Sequence, residues 1–279
     1  MSIMEFSMLV FSGALGAGFL GALTGLGGGV VIIPLLTLGF GVDIRYAIGA
    51  SLVSVIATSS GAAAAYVKEG FTSSRIGMFL QTATTLGALG GAAIATSVPT
   101  RIITLVFGLV LLYSALLASR RRHACAIDDK PDRIAQCLKL DGSCPGPDGA
   151  IVPYHVHAVP VGYALMAIAG ALSGLLGIGS GAVKVLAMDQ AMRLPFKVST
   201  TTSNLMIGVT AAASAGVYLS RGYIDPGLSM PVMLGVLAGS LIGARVLVAA
   251  RVCSLRFAFA TVILALGVEM IYNGLVGGL

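Results

Sequence analysis

The stretch Gly25-Leu26-Gly27-Gly28-Gly29-Val30-Val31-Ile32-Ile33-Pro34 has a counterpart 152 residues on, Gly177-Ile178-Gly179-Ser180-Gly181-Ala182-Val183-Lys184-Val185. The offset holds without a gap on either side. Leu20 meets Leu172, Ser51 meets Ser203, Thr58 meets Thr210 and Tyr66 meets Tyr218. Gly70, Met78, Gly87 and Gly91 likewise meet Gly222, Met230, Gly239 and Gly243. One long unit is duplicated, and function is to be sought where the copies face each other. Glycine is costly inside a helix and useful where the backbone turns or is closely approached, and Pro34 disturbs a helix further. Each copy therefore opens on a broken helix.

Composition sets the surroundings. The chain is 57% hydrophobic and 10% charged, with mean hydropathy +0.97. Charge-free windows recur at 6–42, 46–67, 76–100, 102–119, 158–183, 198–220 and 226–244, and from 257 onward past a lone Glu269. About 20 apolar residues cross a bilayer, so these windows predict an all-α, multi-pass membrane protein. The net charge of +6 comes from Lys and Arg in short loops, as topogenic charges do, and no nucleic-acid partner is expected. Met1 to Val10 lacks a basic signal-peptide start, and apolar sequence continues beyond it, so this segment is read as retained.

The predicted layout has three parts. Residues 1–119 form a first membrane repeat: a broken or re-entrant element over 6–40, then spans near 46–67, 76–98 and 102–119. Residues 120–157 form a hydrophilic cytosolic linker holding Arg120-Arg121-Arg122 and Cys125, Cys137 and Cys144. Residues 158–279 repeat the layout, with a broken element at 158–190 and spans near 198–219, 227–250 and 257–276. A re-entrant pair plus three crossings is an odd net number, so the second repeat is expected to be inverted. Leaving out Lys184, inversion places thirteen Lys and Arg on one side and only Arg45, Arg101 and Arg221 on the other. A parallel arrangement gives nine against seven. The positive-inside rule thus favours inversion, with both termini outside. Inverted repeats with broken helices near the midplane are how secondary transporters build substrate sites.

Several residues are candidates for that site. Lys184 lies in an otherwise apolar run, at the position of Ile32 in the first copy. An ionisable side chain in a span is a functional candidate by default; it either counters an anion or snorkels to the interface. Gly27, Gly28 and Gly29, with Gly179, Ser180 and Gly181, could free backbone N–H groups for an anion, or serve close packing. No Gly-Lys-Ser/Thr follows, so a nucleotide loop is excluded. Thr200, Thr201, Thr202, Ser203 and Asn204, with Thr210, offer hydroxyls and an amide that can replace the hydration of a small oxyanion. Ser51, Ser54 and Thr58 are the weaker counterpart. Gln81 and Arg245 are lesser candidates, and Glu269 is read as the one buried acid. His123 and the three linker cysteines lack a Cys-x-x-Cys pair, so no metal site is assigned. His155 and His157 are read as interface markers. No nucleophile–base pair appears, and no enzyme activity or cofactor is expected.

At the two Gly motifs and at Lys197-Val198-Ser199-Thr200-Thr201-Thr202-Ser203-Asn204, the chain resembles the TauE/SafE family of sulfite exporters. The resemblance covers both halves and leaves out mainly 120–157. It implies a bacterial inner-membrane permease for sulfite, organosulfonates or related small anions, often exporting them. Ser180 stands where the family usually repeats Gly, and Leu186 stands where the first copy has Pro34. A rival from another class is a membrane assembly or redox factor working through the cysteine-bearing linker. Gly87 to Gly91 and Gly239 to Gly243 permit homodimer contacts and equally serve internal packing.

Overall fold

The computed structural model describes residues 3–24, 28–68, 73–95, 97–119, 132–138, 140–145, 151–249 and 264–275. The first repeat contains α1 (Ile3–Thr24), the short α2 (Gly29–Pro34) running into a π-helical turn (Leu35–Gly39), then α3 (Ile44–Lys68), α4 (Ser74–Ala95) and α5 (Thr100–Ser119). The second contains α7 (Val159–Leu176), α8 (Gly181–Leu186) with its π-helical turn (Ala187–Ala191), α9 (Phe196–Ser220), α10 (Pro226–Ala249) and α11 (Leu264–Leu275). Between them lie α6 (Arg133–Cys137) and an antiparallel hairpin of β1 (Gly142–Pro145) and β2 (Ile151–Tyr154). Among the described residues the regular elements are otherwise all helical.

Length and surface both fit a bilayer. At 1.5 Å per residue, helices of 18 to 25 residues reach about 27–38 Å, close to the ~30 Å hydrocarbon core. Ser74–Ala95 and Val159–Leu176 are long and apolar enough to cross in full. Large apolar side chains face outward on several helices, among them Leu86, Leu109, Val209 and Leu241. In water such a belt would be an adhesive patch; against lipid it is ordinary. Many hydroxyls inside the spans return to their own helix, as Ser59 Oγ does to Ile56 O (3.0 Å) and Thr104 Oγ1 to Thr100 O (2.9 Å), which satisfies them without water.

The duplication is visible down to single bonds. Val42 N donates to Leu36 O at 3.0 Å, and Leu194 N, 152 residues on, donates to Met188 O at 3.0 Å. Both π-helical turns occupy equivalent positions, although Pro34 precedes one and Leu186 the other. The proline is therefore not what widens the helix.

Packing between the repeats is reciprocal. α1 lies along α10 and α4 along α7, which is the same pairing with the halves exchanged. A Cβ on Gly239 would land on the carbonyl oxygen of Leu15, and one on Gly87 on that of Ala167, the residue equivalent to Leu15. Gly18 and Gly170 stand in the same relation to Val236 and Thr84. Backbone contact this close needs glycine. Gly87, Gly91 and Gly239 are thus spent on packing within one chain. α3 and α9 cross at the centre and run antiparallel: Gly49 lies beside Tyr223, and Ser59 beside Gly208.

One end of this crossing is tied by Arg45, whose guanidinium donates to Val98 O (3.0 Å) and Tyr223 Oη (3.4 Å). At the other end the linker is partly folded rather than a plain flexible tether. Asp132 caps α6 by accepting from Ile134 N, and Asp141 accepts from Val156 N at 3.0 Å. Ala135, Leu140, Tyr154 and Val156 then pack with Ile76, Met188, Met192 and Leu194. The hydrophilic composition of 120–157 hid these few apolar anchors.

Candidate functional site

The second break turns sharply. Gly177 (φ +66°), Gly179 (φ +69°) and Ser180 (φ +46°) all adopt the left-handed region. Two of these are glycines, which accept it freely; Ser180 is a strained exception, of the kind concentrated at functional sites. Its hydroxyl is buried and has no hydrogen-bond partner among the described residues. In the first half, Gly28 O accepts from Val31 N and Ile32 N, both at 3.2 Å. Gly27 lies outside the described residues.

The two Gly runs meet through Ser51. Its Oγ donates to Gly177 O at 2.9 Å, and a Cβ on Gly29 would press on both Ser51 Oγ and Gly177 O. Ser203, the equivalent of Ser51, donates to Gly181 O at 3.3 Å. Substituting Ser51→Ala should leave the Gly177 carbonyl buried without its donor, at a cost of about 1–3 kcal/mol. Thermal unfolding in detergent should show that loss. Ser54→Ala, which removes only a bond to Ser51 O within the same helix, should cost less.

Lys184 is fully buried on α8. Its Nζ donates to Thr210 Oγ1 at 2.8 Å. Thr210 passes its own proton to Met206 O (2.8 Å) and accepts a second bond from Gln81 Nε2 (3.2 Å). Gln81 Nε2 also reaches Thr85 Oγ1 at 2.9 Å, while Gln81 Oε1 is buried with no partner. An ammonium has three donors and no acceptor; among the described residues Lys184 has one acceptor and no carboxylate. Gln81 is the residue the sequence undervalues. It lies 129 positions from Thr210, and nothing in the spacing joins them.

The run from Thr200 to Asn204 is spread around α9, as a 100° step per residue requires. Ser203 faces α8, and Ile207, one turn on, packs on the Gly179 side. Thr202 Oγ1 instead accepts from Ser73 N (3.2 Å), just before α4. Thr201 donates to Val198 O (3.2 Å), and Thr200 and Asn204 are half-buried. Ser54 and Thr58 bond back along α3, to Ser51 O and Ser54 O.

Glu269 is exposed on α11, not buried as the sequence suggests. The face of α11 turned inward carries Gly267, Met270 and Gly274, against Gly108, Thr37 and Leu105, and Glu269 falls outside it. Cys125 and His123 lie outside the described residues, as does the side chain of Arg245, while Cys137 is exposed. Among the described residues no group of His, Cys, Asp or Glu could hold a metal ion. His155 Nδ1 lies 3.4 Å from Asp141 Oδ2, a contact within the linker, and His157 N donates to Met192 O (3.2 Å), which holds the linker's end to the bundle.

Comparison with known proteins agrees with this architecture. The chain is 26% identical over 280 residues to the probable membrane transporter protein YunE of Bacillus subtilis, covering 98% of this chain and 99% of that one. It is 28% identical to YdhB of the same organism, also named a probable membrane transporter protein, over 82% of this chain and 83% of the relative. An archaeal relative, the probable membrane transporter protein MJ0441 of Methanocaldococcus jannaschii, is 24% identical over 82% of each. No solved structure matches. The family model described as sulfite exporter TauE/SafE matches residues 10–270, which takes in both broken helices and Lys184. This membrane protein belongs to the TauE/SafE family.

Proposed function

We propose that the chain is a secondary transporter that moves a small oxyanion, sulfite or an organosulfonate, across the bacterial inner membrane. It would work by alternating access at the interface of two inverted halves. The observation that carries this reading is Lys184, an amine buried in the bundle with a single hydroxyl acceptor and no carboxylate among the described residues. A buried charge without a counter-charge is strongly unfavourable, and a bound anion supplies what is missing. The reading is supported by the Ser180 hydroxyl, unpartnered among the described residues at the start of α8, and by the meeting of the Gly runs at Ser51. Gly27 to Gly29, Gly179, Gly181 and the hydroxyls and amide of residues 200–204 complete the candidate set.

Inversion is supported by the antiparallel run of the equivalent helices α3 and α9 and by the lopsided distribution of Lys and Arg. An anion leaves an inside-negative compartment downhill, which favours export.

Flux in proteoliposomes tests the reading. Purified protein should carry sulfite or methanesulfonate saturably, and efflux should quicken when the lumen is made negative. Absence of flux for both anions would overturn it. Changing Cys125, Cys137 and Cys144 together to Ser should leave the flux in place; its loss would move the activity to the linker.

A further inference from the structure

The hydrogen bonds around Thr210 leave one buried acceptor unanswered. Thr210 gives its only proton to Met206 O and takes bonds from Lys184 Nζ and Gln81 Nε2, so its hydroxyl is saturated. Having no proton left, Thr210 can only accept from Gln81. That fixes the amide with its NH2 toward Thr210 and its carbonyl turned away. Gln81 Oε1 is then buried and, among the described residues, without a donor. Bonded to the same hydroxyl, Lys184 Nζ keeps donors that no described residue accepts.

We infer that the preferred substrate is an oxyanion carrying its own hydrogen-bond donor, with a negative oxygen at Lys184 Nζ and an O–H or N–H given to Gln81 Oε1. This rests on the anion-transport reading and narrows it. A bare oxyanion meets Lys184 well but sets lone pairs against the Gln81 carbonyl. A hydrogen-bearing monoanion satisfies both groups at once. Sites built to bond a substrate O–H or N–H reject the analogue that lacks it, because a buried polar group is then stranded. Gln81 thus acts as a specificity residue, with the two ends of the ligand read by two different helices, α4 and α8.

Sulfamate and methanesulfonate test this, since both are tetrahedral monoanions of similar size and differ by NH2 against CH3. Binding of each to the purified full chain, by calorimetry in detergent, should favour sulfamate by about tenfold. In Gln81→Leu the preference should fall to about twofold or less, through weaker sulfamate binding, while methanesulfonate affinity changes little. Equal wild-type affinities would overturn the donor inference and leave anion binding standing. If neither probe nor sulfite binds, the anion reading falls and this inference with it. The wild-type ratio decides the question even if Gln81→Leu fails to fold.

Discussion

Replacing Lys184 with methionine should weaken sulfite binding by at least about a hundredfold while leaving the protein folded. Methionine keeps most of the length and apolar volume of the lysine stem and removes the charge. Truncating one partner of a buried, hydrogen-bonded charge pair costs about 2–5 kcal/mol of binding, and a hundredfold is about 2.7 kcal/mol, inside that range. Stability should move differently. In the empty protein Lys184 is a buried amine with one hydroxyl acceptor. Exchanging buried charge for a well-packed apolar side chain is commonly neutral or stabilising. Thermal unfolding in detergent reads both effects. Wild type should be stabilised by sulfite, by about 2.7 kcal/mol at a hundred times the dissociation constant. Lys184→Met should unfold at the same temperature as the empty wild type or higher, with no response to sulfite. A variant that unfolds early yet still responds to the anion would make Lys184 a structural residue.

That experiment isolates a site only partly legible in the sequence. The duplication, the broken helices and the isolated Lys184 could all be read from one chain, because they depend on local spacing and composition. The partners of Lys184 could not. Thr210 is a turn and a half beyond the run that draws attention, and Gln81 sits on another helix in the other repeat. Its place beside Thr210 follows from which faces of α4 and α9 meet, which spacing along one chain does not give. Similarly, the five consecutive polar residues from Thr200 look like a cluster in sequence, yet helical geometry sends Thr202 to α4 and Ser203 to α8. Glu269 misled for the opposite reason. A lone acid in an apolar span suggests burial, but α11 turns only its Gly267, Met270 and Gly274 face inward.

The glycine contacts yield the second large effect. Gly87→Ala should destabilise the protein by about 2–3 kcal/mol or more, and Gly90→Ala, three residues along the same helix, should not destabilise it at all. A Cβ at position 87 would fall on the Ala167 carbonyl and against the backbone of Ala171, neither of which can rotate aside. Overpacking of a close-packed interior costs about 1–3 kcal/mol when side chains can adjust, and here the whole of α4 must back away from α7. At Gly90 nothing lies within 4 Å of the added methyl, and helix propensity then favours alanine by up to about 1 kcal/mol. Gly239→Ala, pressing on Leu15, should match Gly87→Ala, because the two contacts are the same contact in exchanged halves. Unfolding temperatures of the three variants in one detergent decide it. If Gly87→Ala and Gly90→Ala behave alike, the tight α4–α7 approach is wrong, and with it the position of Gln81 that the proposed anion site depends on. If Gly87 and Gly239 fall together, the two interfaces are equivalent in energy as well as geometry.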